Sequence, residues 1–374
     1  MKRPVLALAV CIAVALALAG CTSDGSLLGF FNLAAPRFMY VGLDATSVAG
    51  FSVDPSTGAL SALPGSPFAV TSNTGLFPAT NGTNRLFLPY QNSENVESFT
   101  VGPDGALGSN GLGTTPVLGD WLPNAAVTPD DRFLIAPVHG GFKGAAVWSV
   151  GASGALTAVS GSPFPGQGAG RPENVVITPD GRFAYVSAES PPSITIYSIS
   201  ASGALTETAG SPVTPSGDGF SMAITPDGRY LYFEAFATDE INAYSIASNS
   251  GALTPLPGSP FAVGPGGGVL AMDPTGRYLY VTVHPQQQQV AGVGGFAIHD
   301  DGSLTPIAGS PWIAPNAGYD TCVGADPSGK FVYLVDETTP AIFGYTIGAG
   351  GALTLMSGSP FATPPTPICM AITH

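Results

Sequence analysis

Gly58-Ala59-Leu60-Ser61-Ala62-Leu63-Pro64-Gly65-Ser66-Pro67-Phe68 is one copy of a segment that occurs seven times in this chain of 374 residues. The other copies begin at Gly105, Gly154, Gly203, Gly251, Gly302 and Gly351, between 47 and 51 residues apart. A period of this length, made of short apolar runs and Gly/Pro turns, marks a β-propeller with one repeat per blade. The count predicts an all-β, seven-bladed ring.

The fourth repeat shows the parts most clearly. Asn174-Val175-Val176-Ile177 is a short β-branched run suited to an inner strand A. Thr178-Pro179-Asp180-Gly181 is a turn: Pro presets φ, Asp bonds to the local backbone and Gly accepts positive φ. Arg182-Phe183-Ala184-Tyr185-Val186 then reads as strand B and Ile194-Thr195-Ile196-Tyr197 as strand C. Ala201-Ser202-Gly203 is a hairpin turn, and Ala204-Leu205-Thr206 opens the outer strand D. Repeat 2 is degenerate, with Asn81-Gly82-Thr83-Asn84 in place of Pro-Asp-Gly and Thr115-Pro116-Val117 in place of Gly-Ser-Pro-Phe.

The two ends of the repeat region complement each other. Arg37-Phe38-Met39-Tyr40-Val41 is a strand B with no strand A before it. Ile368 to His374 is a strand A with no strand B after it. The C-terminal strand is therefore expected to complete blade 1, which closes the ring without an open edge. The 50 glycines and 36 prolines fall at fixed offsets and act as turn punctuation, so one ring over residues 37–374 replaces the two domains that length alone suggests.

Residues 1–20 stand apart. Lys2 and Arg3 precede the apolar run Val5 to Leu18, and Leu18-Ala19-Gly20-Cys21 resembles the bacterial lipoprotein signal. In that resemblance Cys21 carries the lipid, residues 21–36 tether it to the ring, and the mature chain is exported and held on the cell envelope by the anchor alone. Thr22 after the cysteine favours the outer membrane. The face of A–B and C–D turns is then expected to look toward the membrane, and the face of B–C and D–A loops away from it.

Without residues 1–20 the chain has 25 acids against nine bases, a net of −16. Seven of those bases, Arg37, Arg85, Arg132, Arg182, Arg229, Arg277 and Lys330, recur at the start of strand B as part of the repeat. Only Lys143 and Arg171 remain, which excludes nucleic acid as a partner and leaves little to hold a multiply anionic substrate. Cys322 and Cys369 occupy equivalent strand A positions in blades 7 and 1. Two readings are open: a disulfide locking the closing strand, or two small buried thiols. No metal site and no cofactor are expected, since the chain lacks a phosphate loop, a His-Glu-x-x-His, a calcium loop and a Gly-x-Ser-x-Gly.

Seven residues past each strand B cation lies a ring of Asp44, Asn92, His139, Glu189, Phe236, His284 and Glu337. His139 and His284 fall in blades 3 and 6, across the ring, and a solvated rim is the plain reading. The densest group lies on blades 3 and 4: His139, Lys143, Arg171, Glu173, Asn174 and Glu189. It joins a possible base, both non-repeat cations and two carboxylates, which suits acid–base chemistry on a polar small molecule and equally suits a surface ion-pair cluster. Asp218, Asp239, Glu240, Asp320 and Asp336 read as solvated loop residues, and Gln286 to Gln289 as a loop tip.

At these residues the chain resembles the seven-bladed lactonase family, the 6-phosphogluconolactonase-like propellers. The carriers are the Gly-Ala-Leu-Thr hairpins, the Thr-Pro-Asp-Gly-Arg-(Phe/Tyr)-x-Tyr-Val strands, and Gly168 to Asn174 leading to Phe183 through Glu189. The same repeats are similar to YVTN-type propellers. The resemblance implies a site with a Pro-Arg-His stretch leading into strand A and a Glu ending strand B of one blade. Pro172 and Glu189 match it, while Glu173 stands at the Arg position and Asn174 at the His position. Asn124 takes the comparable place in blade 3. The resulting expectation is a monomeric propeller that binds a small ligand or an envelope protein on its outward face, with Lys143, Glu173, Asn174 and Asn124 as binding residues. The alternative is a lactone hydrolase with Glu189 and His139 as acid and base and Arg171 or Lys143 on the oxyanion. A scaffold for envelope protein complexes is the third reading.

Overall fold

The computed structural model describes residues 36–373 apart from 45, 73–77, 81–83, 91–92, 94, 115–121, 140–142, 169, 220, 285–290 and 319. Cys21, the leader, the tether up to residue 35, Asn92, Thr115-Pro116-Val117 and the glutamine run at 286–289 lie outside the described residues, as does the side chain of Asp320. Seven antiparallel sheets are formed, each with the strand order A–B–C–D. Blade 4 consists of Arg171–Ile177, Phe183–Glu189, Ser193–Ile199 and Leu205–Glu207. The expected closure is present: Pro367–Ile372 pairs with Arg37–Leu43 and supplies strand A of blade 1.

The repeat residues earn their places at the joints between blades. The tyrosine of strand B donates across the joint to the carbonyl of the repeat glycine in the next blade. Tyr40 reaches Gly105, Tyr185 reaches Gly251, Tyr232 reaches Gly302, Tyr280 reaches Gly351, and Tyr333 reaches Gly58 across the closing seam, all at 2.7–2.9 Å. The glycine must be glycine. Gly302 sits at φ +80°, and a Cβ there would lie 2.6 Å from the Tyr230 ring. Arg132 and Arg182 donate to carbonyls of the following blade, Ala201 and Ser248, while lying over the ring of the next residue in their own strand. The core is accordingly divided into layers between blades, such as the one joining Phe133, Ile135 and Val147 of blade 3 to Ala184, Val186 and Tyr197 of blade 4.

Strand D comes in two pieces in blades 1, 3, 5, 6 and 7. After Leu60–Ala62 the chain turns through Gly-Ser-Pro and returns to strand C as the short piece Phe68–Ala69. The turn serine accepts a strand C N–H, as Ser66 does from Gly50. In blade 2 the register is one residue off the sequence alignment. Val101 N–H bonds to Asn84 O as Ile199 N–H bonds to Arg182 O, so Asn84 holds the cation position. Arg85 sits where other blades carry Phe or Tyr and donates to the carbonyls of Gly151 and Ala152. The change follows from the different turn, Asn-Gly-Thr-Asn, ahead of that strand.

The inner ends of the A strands are also stitched together. Val175 N–H donates to Asn124 Oδ1 at 3.3 Å between blades 3 and 4, and Leu270 N–H to Ser221 Oγ at 2.8 Å between blades 5 and 6. Cys322 and Cys369 occupy the same ring position and are joined as a disulfide, with their Cα atoms 5.0 Å apart. The seam between blades 7 and 1 also holds a buried ion pair, Arg37 with Asp326.

Candidate active site between blades 3 and 4

Strand A of blade 4 begins with a β-bulge. Arg171 pairs with Glu189 and Pro172 with Ala188, then the register slips so that Asn174 faces Ser187 and Glu173 is the extra residue. Bulges re-aim side chains. Here the Glu173 carboxyl comes to 3.2 Å from Nε2 of His139, which follows strand B of blade 3. Both side chains are largely buried. Arg171, opposite Glu189 in the register, places a guanidinium nitrogen 2.8 Å from its carboxylate. The guanidinium is half exposed while Glu189 is mostly covered.

The two glutamates therefore stand in different environments. Burial, and after it the neighbouring Glu189 carboxylate, push the Glu173 carboxyl up to about 8, with Arg171 opposing the shift. The shift favours the protonated form of Glu173, whose carboxyl lies 3.2 Å from the His139 imidazole. Glu189 is ion-paired with Arg171. A retained proton beside a paired carboxylate is the arrangement that divides acid and base roles between two like groups.

The structure thus brings together His139, Glu173, Arg171 and Glu189. Asn124 is turned to a structural task, since its Oδ1 is taken by Val175 N–H. Asn174 is buried beside the bulge, with no partner for its Oδ1 among the described residues. Lys143 stands exposed at the head of strand C of blade 3 and lines a small crevice with Gly166, Gly168, Pro172 and Tyr197. His284 belongs to blade 6, where burial lowers its pKa against the opposing effect of Asp336. Among the described residues no group of three or more metal-binding side chains occurs.

Several loop acids expected to be solvated are instead fasteners. Asp336 is fully buried and accepts from the backbone N–H groups of Gly318, Thr338 and Thr339. Asp218 accepts from the Ser190 N–H and hydroxyl, Asp239 from Gly266 N–H, and Glu240 from the Ser216 hydroxyl. An acid in a chain so poor in cations is repaid by backbone donors, which sequence spacing does not show. Reading the sequence also passed over Glu234, a fully buried acid in strand B of blade 5. The available signal was its position between Phe233 and Ala235 in an otherwise apolar strand.

This geometry is that of a seven-bladed propeller with a polar cluster at the joint of blades 3 and 4. Residues 220–365 match the family model described as Lactonase, 7-bladed beta-propeller, which bears out the resemblance carried by the repeats. No curated protein matches the chain. Many solved structures share the fold, three of which follow. One is a protein from Lactobacillus plantarum (TM-score 0.75, 19% identity, 91% of this chain and 99% of that one). Another is the periplasmic gluconolactonase of Pseudomonas aeruginosa (0.75, 17%, 91% and 99%). The third is a proposed 6-phosphogluconolactonase of Bacteroides fragilis (0.74, 19%, 94% and 100%).

Proposed function

We propose that the chain hydrolyses a lactone that carries no phosphate. Of the readings the sequence leaves open, hydrolysis is better supported than partner binding alone. The observation that carries it is the pairing of a proton-holding Glu173–His139 couple with an ion-paired Glu189 at one corner of the ring. Glu189 takes a proton from water as the water oxygen bonds to the lactone carbonyl carbon. The Arg171 guanidinium, steadied by Glu189, donates to the developing oxyanion. The ring C–O bond then breaks, and the Glu173–His139 couple gives its proton to the departing alkoxide. The product is an open-chain hydroxy acid. A dianionic phosphate finds only a partly neutralised guanidinium here, because the Glu189 carboxylate already offsets the charge of Arg171.

We also place this activity outside the cytoplasm, on a lipid anchor at Cys21. The leader with its Leu18-Ala19-Gly20-Cys21 stretch supports this, as does the Cys322–Cys369 disulfide, a bond that persists in oxidising compartments. Replacing Cys21 by Ser is expected to release the protein from the membrane fraction; retention there would refute the anchor. The hydrolase reading is tested by assaying residues 22–374 against phosphorylated and unphosphorylated lactones beside a Glu189→Gln variant. Turnover of unphosphorylated lactones that the variant loses is the expected result. No turnover above spontaneous opening across the panel would end the reading.

A further inference from the structure

The joint between blades 1 and 2 holds a cavity of about 430 Å³, within the range of small-molecule sites. One wall is the returning piece of blade 1, with Phe68 and Ala69. The other is formed by strands C and D of blade 2, Asn95–Val101 and Leu107–Thr114, with Glu97, Phe99, Leu107 and Ser109. Glu97 is the one charged residue of this lining, and only 4% of its surface is exposed. Its carboxylate accepts from the Tyr90 hydroxyl, from Ser109 Oγ at 2.7 Å and from Thr71 N–H at 3.1 Å. Burial works against ionisation, but these donors outweigh it and hold the carboxyl below the ordinary glutamate value. Three donors leave one of the four acceptor positions of a carboxylate unfilled. Among the described residues no Lys, Arg or His pairs with Glu97.

The fold does not need a charge at this place. Asn242 holds it in strand C of blade 5, paired with Phe233 as Glu97 is with Leu88. There a neutral amide fastens the loop: Asn242 Oδ1 accepts from Ser216 N–H at 3.0 Å, as Glu97 accepts from Thr71 N–H. The other five blades carry Ala49, Ala146, Thr195, Gly294 and Phe343, all uncharged. A buried carboxylate kept ionised with no cation of its own is destabilising unless a positive charge is brought to it. We propose that this cavity binds a small organic cation, an ammonium group carried on an aromatic or apolar body, with Glu97 as its counter-ion. Phe68, Phe99 and Leu107 supply the apolar walls, and an ammonium near the aromatic rings gains a cation–π contact as well. The site belongs to a different joint from the blade 3–4 cluster and does not depend on the hydrolase reading.

The probe is phenethylamine, cationic at neutral pH, titrated calorimetrically into the full-length protein beside 2-phenylethanol, its uncharged counterpart. The amine is expected to bind at least about tenfold more tightly than the alcohol. Glu97→Gln keeps an acceptor, which Asn242 shows to be enough for the loop, and removes the charge; it is expected to weaken amine binding about tenfold or more. Ala69→Trp leaves Glu97 in place and fills the cavity from an exposed position, whose counterpart in blade 6 is Ile313; it is expected to abolish binding. Equal thermal midpoints verify folding, and if Glu97→Gln melts early the Ala69→Trp variant decides. No binding of the amine by the parent, or equal binding of amine and alcohol, overturns the proposal. So does undiminished binding by a folded Glu97→Gln, which would mark attraction to the overall negative charge alone, or by Ala69→Trp.

Discussion

Replacing Glu234 by Gln should remove a one-proton pH dependence from the stability of the ring. The Glu234 side chain is fully buried, and neither carboxyl oxygen has a hydrogen-bond partner among the described residues. In the other blades this place in strand B is held by Gly42, Pro89, Pro137, Ser187, Thr282 and Val335, none of them ionisable. Room for the carboxyl comes from Gly267, where a Cβ would lie 2.7 Å from Glu234 Oε1. Burial first, and then Asp239, push the group up to about 9. The unfolded chain gives up the proton near the ordinary glutamate value of 4.5, so between 4.5 and about 9 the folded state holds one more proton. Stability therefore falls as pH rises through that window, by about 1.4 kcal/mol per pH unit. From pH 6 to pH 8.5 this one group costs about 3 kcal/mol. Glu173 adds a loss of the same sign up to about 8. Urea titrations of parent and Glu234→Gln at several pH values would isolate the term as a difference of slopes. A poorer fit of the amide than of the acid at pH 5 leaves that difference unchanged. Equal slopes in parent and variant would refute the account of Glu234 as a buried neutral acid.

The Cys322–Cys369 bond joins residues 47 apart at the closing seam, so Cys369→Ser should cost about 2–4 kcal/mol in urea, and reductant should lower the parent to the level of the variant. Thiol titration of denatured, unreduced residues 22–374 should find none free. Tyr232→Phe should cost about 1 kcal/mol for its bond to Gly302, and Gly302→Ala clearly more, because the added Cβ meets Tyr230 and Leu256 at positive φ. A smaller loss for Gly302→Ala than for Tyr232→Phe in thermal or urea melts would contradict the joint described. Arg171→Gln should reduce kcat about 100-fold if the guanidinium donates to the oxyanion, and an unchanged kcat would remove it from that role.

The fold was legible because the repeat is punctuation with a physical purpose. Glycines at positive φ, turn aspartates and strand B tyrosines recur since each joint needs the same contacts, and the complementary ends show how the ring closes. Blade 2 escaped that logic. Its turn lacks Pro-Asp-Gly, so counting from Arg85 placed strand B one residue out, and the pairing of Leu86 with Phe99 shows the shift. The blade 3–4 cluster could be assembled from the sequence because equivalent offsets fall at one end of the ring. The pairing inside it could not. Glu173 stands at a position that the family resemblance gives to Arg, and its approach to His139 depends on a bulge that side-chain alternation does not announce. Asn124 looked like a binding residue for the converse reason: a polar side chain near a site and a polar side chain stitching two strands read alike until the backbone partner is known.

The central claim is that Glu173 keeps the proton which the departing alkoxide needs. The direct test is the pH dependence of kcat for an unphosphorylated sugar lactone, parent against Glu173→Gln, after subtraction of spontaneous opening. The account predicts turnover by the parent that declines as pH rises through about 8, where Glu173 loses its proton, and a Glu173→Gln variant that is slow at every pH. A variant as fast as the parent, or a parent no faster than spontaneous opening, would contradict it.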